Sequence, residues 1–356
     1  MSFKKNKIVG ELLRWYQQNK RDLPWRADRD PYKIWLSEII LQQTRVDQGL
    51  PYYIKFIEKY PTIHELANAS EDDVLRTWQG LGYYSRARNL HKCAKSIVNQ
   101  YNGKFPTARN ELIKLPGIGP YTSAAIASFA FHKKEAVVDG NVMRVITRLY
   151  GIIQDISTPK TVGYIKSIVD ELIPKSQPDI FNQAIMEFGA LHCSPKNPSC
   201  NTCGFNGICY AQLNKLQDKI PFKSKKAMNR VRYFNYLLIK VNGKYLLRKR
   251  KNNDIWKGLF EFVLVETHEV MDFNHFPLPK FLTKNASIWK VNSESKTYKH
   301  ILSHQTIFCR FYNINTLEEF EHNPMDWGEY QLYSEEEIHE LPKSILIDRY
   351  LGEKIN

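Results

Sequence analysis

Glu38 lies in the stretch WLSEIILQQT, residues 35–44. Read as a helix, it has Ile34 and Trp35 one turn before it and Leu41 and Gln42 one turn after. Most of those neighbours are apolar, so the carboxyl projects from a face that should be buried, and burial raises a carboxyl pKa. Asp139 has the opposite setting. In EAVVDGNVMRVITRLYG it follows an apolar run and opens a predicted helix, where the dipole and free N–H groups keep a carboxylate ionised. One acid held protonated and one held charged are the ingredients for cleaving an N- or O-glycosidic bond. Each also has a plainer reading: Asp139 as a simple N-cap, Glu38 as a buried acid paired with a cation such as Arg26.

Two further motifs carry chemistry. The run CSPKNPSCNTCGFNGIC places Cys193, Cys200, Cys203 and Cys209 at the spacing C-x6-C-x2-C-x5-C. In a chain of this length with no secretory leader, four thiolates in one short loop point to a metal centre rather than to disulfides. Thiolates alone leave zinc and an iron–sulfur cluster both open. Cys93 and Cys309 stand apart and read as ordinary buried thiols. In LPGIGPYTSAAIASFAF, Gly117 and Gly119 precede an apolar helix. Glycines there permit positive φ and close backbone approach, and the helix N-terminus beyond them can grip a DNA phosphate. With the preceding segment this makes a helix-hairpin-helix pattern over 107–131.

The elements that must position these groups fall into two halves. Residues 1–212 carry helical periodicity, with helices predicted over about 5–19, 31–45, 47–60, 82–101, 120–131, 140–150, 159–172 and 179–191. From 231 the pattern turns to strands: YFNYLLIK and KYLLRKR flank Asn242-Gly243, a hairpin signal, followed by FEFVLVE, TYKHILSH and QTIFCRFYNI. A closing helix is expected around 335–350, and the basic segment 213–230 reads as a linker. The 356 residues are 43% hydrophobic, enough for more than one cored domain. No stretch is apolar enough to span a membrane, and the start reads as an amphipathic helix, not a leader. The expected location is cytoplasmic, associated with the nucleoid. A net charge of +14 favours a polyanionic partner, nucleic acid first.

Taken together, DLPWR (22–26), SEIILQQT (37–44), LGYYSRARNL (81–90), LPGIGPYT (115–122), VVDGNVMRV (137–145) and the cysteine run resemble the endonuclease III (helix-hairpin-helix) superfamily of DNA glycosylases. Within it the sequence is similar to adenine DNA glycosylases of the MutY type. The resemblance implies a mainly α N-terminal glycosylase domain with an iron–sulfur cluster loop at 193–209, plus an α+β Nudix-like C-terminal domain over 231–356. It implies a [4Fe–4S] cluster on the four cysteines. Glu38 is then the general acid that protonates an extruded adenine, and Asp139 stabilises the sugar cation. Tyr121 and Asn141 assist, and Arg26 partners the glutamate. Relatives that also nick the strand carry a lysine just after the PGxG turn, where this chain has Tyr121, so a monofunctional hydrolase is expected.

By the same resemblance Leu23, Trp25 and Gln183 border the adenine pocket, with Thr44 beside them. Gln43 and Tyr83 fill the stack when the base leaves, and Thr44, Gly82, Arg86, Gly117 and Gly119 meet DNA. Leu302, Ser303 and His304 read the 8-oxoguanine, with leucine where many relatives have phenylalanine. After Gly258 the metal-binding REx2EE pattern of a working Nudix hydrolase is missing, because Glu261, Glu266 and Glu269 have the wrong spacing; the domain is expected to bind and not to hydrolyse. The implied partner is double-stranded DNA with an 8-oxoguanine:adenine or guanine:adenine mispair, met by a monomer. Competing readings are a same-fold glycosylase for mismatched thymine, a non-enzymatic iron–sulfur DNA sensor and a zinc-stapled scaffold.

Overall fold

The computed structural model describes residues 2–224, 230–251, 253–283, 289–316 and 327–355. They divide into two compact units, one drawn from 1–68 and 92–226, the other from 69–91 and 227–356. Of the expected linker, residues 225–229 lie outside the described residues. Its first part is tied down, with Ile220 buried and the Phe222 carbonyl accepting the Ile156 N–H.

The first unit is helical: α1 Ser2–Asn19, α2 Pro31–Ile40, α3 Val46–Lys59, α4 Ile63–Asn68, the later part of α6 (see below), α7 Arg109–Leu112, α8 Pro120–Phe131, α9 Gly140–Tyr150, α10 Pro159–Leu172, α11 Pro178–Leu191 and α12 Tyr210–Leu213. Starts follow local chemistry. Pro31, Pro120, Pro159 and Pro178 stand at N1 or N2, and the side chains of Asp30, Asp139 and Thr158 accept N–H groups of the first turn. The helix bearing Glu38 stops at Ile40 and does not run to 45, because Gln43 turns into the left-handed region at φ 58. Ile8 and Leu12 of α1 pack with Val145 and Ile146 of α9, Ile165 of α10 and Phe181 of α11. A smaller cluster joins Ile34 of α2 to Ala124, Ala125 and Phe129 of α8 and to Val137. The small residues let α8 approach closely, and this packing sets Glu38 against Tyr121.

The second unit holds α5 Glu71–Thr77, the first turns of α6 Ser85–Tyr101, and a seven-stranded mixed sheet. Its strands are β1 Arg230–Val241, β2 Lys244–Lys249, β3 Phe260–Thr267, β4 Trp289–Glu294, β5 Tyr298–Ile301, β6 Gln305–Thr316 and β7 Gln331–Tyr333. The order is β4-β6-β1-β3-β2-β7 with β5 also on β6, and β1 runs parallel to β6 from Arg230↔Gln305 to Lys240↔Asn315. The β1–β2 turn has Asn242 at φ 47 and Gly243 at φ 81, the two left-handed residues that a tight hairpin requires. Short helices α13 Lys280–Thr283, α14 Glu335–Glu340 and α15 Ile345–Ile355 complete it. The expected closing helix is therefore two helices. Pro342 cannot continue a helical hydrogen-bond ladder, and Lys343 Nζ donates to the Ile338, His339 and Leu341 carbonyls at the break. Tyr350 of α15 stacks on Phe311 of β6 at 4.0 Å between ring centroids. Among the described residues no helix is long and apolar enough to cross a membrane.

Candidate active site

Glu38 projects from the last turn of α2, and the Tyr121 hydroxyl at the start of α8 donates to its Oε2 at 2.8 Å. The side chain is half-buried, yet its carboxyl is hemmed in by protein. That burial pushes its pKa up to about 7; the Tyr121 bond opposes the shift, the charge of Asp139 adds to it and Arg26 offsets part. Burial beside carboxylates pushes the Tyr121 hydroxyl far above its usual range, so it remains a donor.

Asp139 caps α9: Oδ1 accepts the Val142 N–H at 2.7 Å and Oδ2 accepts from Asn141 Nδ2 at 2.8 Å. The expected cap is present, but the direction of its pKa corrects the sequence reading. Burial raises it above the ordinary aspartate value, outweighing the hydrogen bonds from Val142 and Asn141. The two acids thus differ in support, since only Asp139 has helix-terminal donors aimed at its charge, and not in the sign of their shifts.

Behind Asn141 stands a residue the sequence reading did not single out. Arg144 Nη2 donates to Asn141 Oδ1 at 2.8 Å and to the Gly189 carbonyl at 2.7 Å, and its Nε donates to the Cys193 carbonyl at 2.7 Å. Gly189 has to be glycine here, because a Cβ would lie 2.7 Å from the Asn141 Cβ and 2.9 Å from its carbonyl oxygen. A cation inside the apolar pattern of α9 was the available signal, the same one that betrayed Glu38.

Arg26 corrects another expectation. Its guanidinium bonds Glu187 at 2.9 Å, together with Arg21 at 2.8 Å, and not Glu38. Glu187 is 2% exposed; burial pushes its pKa up, but the Arg21 and Arg26 bonds prevail and hold it at about 2. The ion triplet pins the DLPWR segment to α11. Within that segment Leu23 and Trp25 are buried, Trp25 edge-on to Tyr53 at 5.0 Å. Gln183 is half-buried and its Oε1 accepts the Tyr16 hydroxyl at 2.7 Å. Gln43 is exposed, and Gln42 Nε2 donates to Thr122 Oγ1 at 3.2 Å, tying that turn to α8, while Thr44 Oγ1 reaches back to the Gln42 carbonyl at 3.4 Å.

In the hairpin between α7 and α8, Gly117 takes φ 74 as expected, but Gly119 is extended at φ −92. A Cβ at 119 would meet nothing within 4 Å, so the protein itself leaves room there for an approaching backbone. In the second unit Gly82 and Tyr83 both have positive φ, 72 and 48, and Tyr83 is 43% exposed. A bulky residue in that region is uncommon and points to a constrained loop. Arg86, expected to face DNA, turns into this loop: it lies 5.0 Å from the Trp78 ring and 5.5 Å from Tyr83, and donates to the Leu81 carbonyl at 3.4 Å. Burial lowers its pKa to about 10. Ser303 and His304 are exposed beside half-buried Leu302, whose N–H closes the turn on the Gln305 carbonyl at 2.8 Å.

The four cysteines of the 193–209 run are free thiols lining one pocket with Arg148, Phe188 and His192. Arg148 Nη1 donates to Cys193 Sγ at 3.3 Å and Gln217 Nε2 approaches Cys200 Sγ at 3.8 Å. Among the described residues no group of three or more histidine, cysteine or acidic side chains is placed to hold a metal ion. Cys93 and Cys309 are both free and buried, as expected.

Residues 36–171 match the HhH-GPD superfamily of base excision DNA repair proteins, and residues 235–353 match the NUDIX domain family. A protein named adenine DNA glycosylase from Buchnera aphidicola (subspecies Baizongia pistaciae) is 36% identical over 318 residues, which cover 88% of each chain. The solved structure of a thermostable thymine-DNA glycosylase superposes with a TM-score of 0.55 at 30% identity, over 60% of this chain and 98% of its own. A non-covalent endonuclease III–DNA complex shares the fold at TM-score 0.53 and 23% identity, over 61% and 99%. The chain belongs to the adenine DNA glycosylase family, within the HhH-GPD superfamily of base excision repair proteins.

Proposed function

We propose that this chain hydrolyses the N-glycosidic bond of an adenine mispaired with 8-oxoguanine or guanine in duplex DNA. The observation that carries the reading is the Tyr121–Glu38 contact beside Asp139. A base inside a stacked duplex is out of reach, so the adenine must be extruded to meet this site. A carboxyl with a pKa of about 7 keeps a large protonated fraction at neutral pH and still releases its proton readily, which suits an acid that protonates the leaving purine and afterwards activates water. Asp139 keeps two donors on its oxygens and meets the cation that forms as the bond breaks; that positive charge in turn favours its ionised form. Tyr121 takes the place of a nucleophilic lysine, and its hydroxyl is committed to Glu38. The expected result with a duplex carrying one 8-oxoguanine:adenine pair is free adenine with the strand intact until alkali is added. Nicking that keeps pace with base release would defeat the monofunctional reading.

The likeness to a thymine-DNA glycosylase covers 60% of this chain, whereas the 36%-identical adenine relative covers 88%, which favours adenine over thymine. Adenine contact is assigned to the segment holding Leu23 and Trp25 and to Gln183, with Glu187 and Arg21 fixing that segment. Gln43 and Tyr83 are proposed as the stack-filling residues, on the grounds of their exposure and left-handed backbones. Gly117 and Gly119 are assigned to phosphate, and Arg86 to shaping the Tyr83 loop.

A [4Fe–4S] cluster is assigned to the thiol pocket on the strength of the family, whose members resemble endonuclease III. The four thiols line one pocket, and N–H donors reach two of the sulfurs. Cys193, Cys200, Cys203 and Cys209 would hold the cluster, which would fix a loop with little core of its own.

In the C-terminal unit Glu261 is paired with Arg248 and Arg250, and Glu266 with Arg232, so these carboxylates are already neutralised. That supports recognition without nucleotide hydrolysis, with Leu302, Ser303 and His304 reading 8-oxoguanine. Changing Ser303 and His304 together to alanine should lower the preference for 8-oxoguanine:adenine over guanine:adenine by about tenfold, the worth of one good polar base contact. The ratio of single-turnover rates on the two duplexes measures it; an unchanged ratio would remove the assignment.

A further inference from the structure

The loop proposed to wedge the stack belongs to the same compact unit as the loop proposed to read the lesion. Two routes of contact join them. On the first, β6 begins at Gln305, where the 302–305 loop ends, and carries Phe311 under Tyr350 of α15; Asn313 Nδ2 also donates to the Tyr350 hydroxyl at 3.1 Å. The backbone of Lys343, just before α15, then meets the Tyr83 loop from both sides. Its carbonyl accepts the Tyr84 hydroxyl at 3.3 Å, and its N–H donates to Gln79 Oε1 at 3.1 Å.

The second route starts at β5, which leads into the 302–305 loop from the other side. His300 packs on Trp256 at 5.8 Å, and Trp256 sits at φ 60, a strained conformation for so large a residue. The next carbonyl, that of Lys257, accepts from Arg88 of α6 at 2.5 Å. Gly258 then lies against Leu75, with only 3.1 Å between that side chain and where a Cβ would sit. Two ion pairs, Asp72 with Lys249 and Arg76 with Glu340, flank these contacts.

We propose that Tyr84 and Arg88 are positioning residues through which the lesion-reading part of the chain braces the Tyr83 loop, so that occupancy at Ser303 and His304 decides how fully Tyr83 enters the stack. This rests on the proposed reading of 8-oxoguanine by that loop. Both routes are unbroken in the fold and converge on the residues next to Tyr83, which is where such coupling would act.

The test uses the full chain and a duplex with 2-aminopurine next to an 8-oxoguanine:adenine pair, whose fluorescence rises when its stack is opened. Wild type should give a larger rise with 8-oxoguanine than with guanine. Tyr84→Phe and Arg88→Met should each abolish that excess, and slow adenine release from the 8-oxoguanine pair by about tenfold, the worth of a hydrogen bond left unmade. In a Tyr83→Ala background neither should slow release further, because coupled residues are not additive. A retained excess in both variants, or losses that multiply with that of Tyr83→Ala, would overturn the proposal. If wild type itself shows no excess and equal rates on the two duplexes, the lesion reading has failed and the brace falls with it. Should Tyr84→Phe or Arg88→Met not fold, the half-exposed pair Asp72–Lys249 provides the second arm. Asp72→Lys should diminish the excess and adding Lys249→Asp should restore it; no restoration counts against the brace.

Discussion

Glu38→Gln is expected to cut single-turnover adenine release by about 10³-fold, the range that general acid catalysis supplies. Glutamine fills the same space and can still accept from Tyr121, so the change removes a proton and little else. The pH dependence follows with a definite sign. The acid form of Glu38 is populated below its pKa of about 7 and is lost as pH rises through that value. The wild-type rate should therefore fall on the alkaline side, about tenfold per pH unit once well above the pKa, and the variant's residual rate should lack that limb. Rates of base release across the neutral range for both proteins provide the check. A glutamine variant within tenfold of wild type, or one that keeps the alkaline limb, would assign the proton to another group.

Asp139→Asn is expected to be nearly as damaging, by about 10²- to 10³-fold, because it removes the charge facing the developing cation. The substitution separates structure from chemistry. Asparagine caps a helix about as well as aspartate, so its side-chain oxygen can keep the Val142 N–H and α9 should stay in register. Thermal melting should then stay close to wild type while adenine release collapses. A loss of rate matched by a large loss of stability would mean that Asp139 matters chiefly as a cap.

Glu38 was legible in the sequence because an acid interrupts an apolar helical pattern, and helical spacing is a local property. Asp139 was legible as a cap for the same reason. The net effect of burial on it was not, because burial depends on α11 and on what else packs around α9. The direct bond of Arg26 to Glu187 was not legible, since that acid lies 161 positions away in the chain; on Glu38 the arginine acts through charge alone. The early stop of α2 carried no glycine or proline to announce it; a glutamine takes the left-handed turn. Short elements such as α4, α5, β4 and β7 span too few residues for a period to show. That residues 69–91 group with the C-terminal sheet follows from contacts such as Tyr84 to Lys343, which no local pattern encodes.

The approach of α11 to α9 at Gly189 bears on which changes the enzyme can tolerate. With backbone against backbone there is no slack for even one methyl group, and an intruding methyl would press on the residue whose amide holds Asp139. A position that carries no functional group, and that sits on a different helix from either acid, thereby acts as a spacer for the reaction centre. Harmful substitutions in this protein should accordingly include some whose only fault is volume.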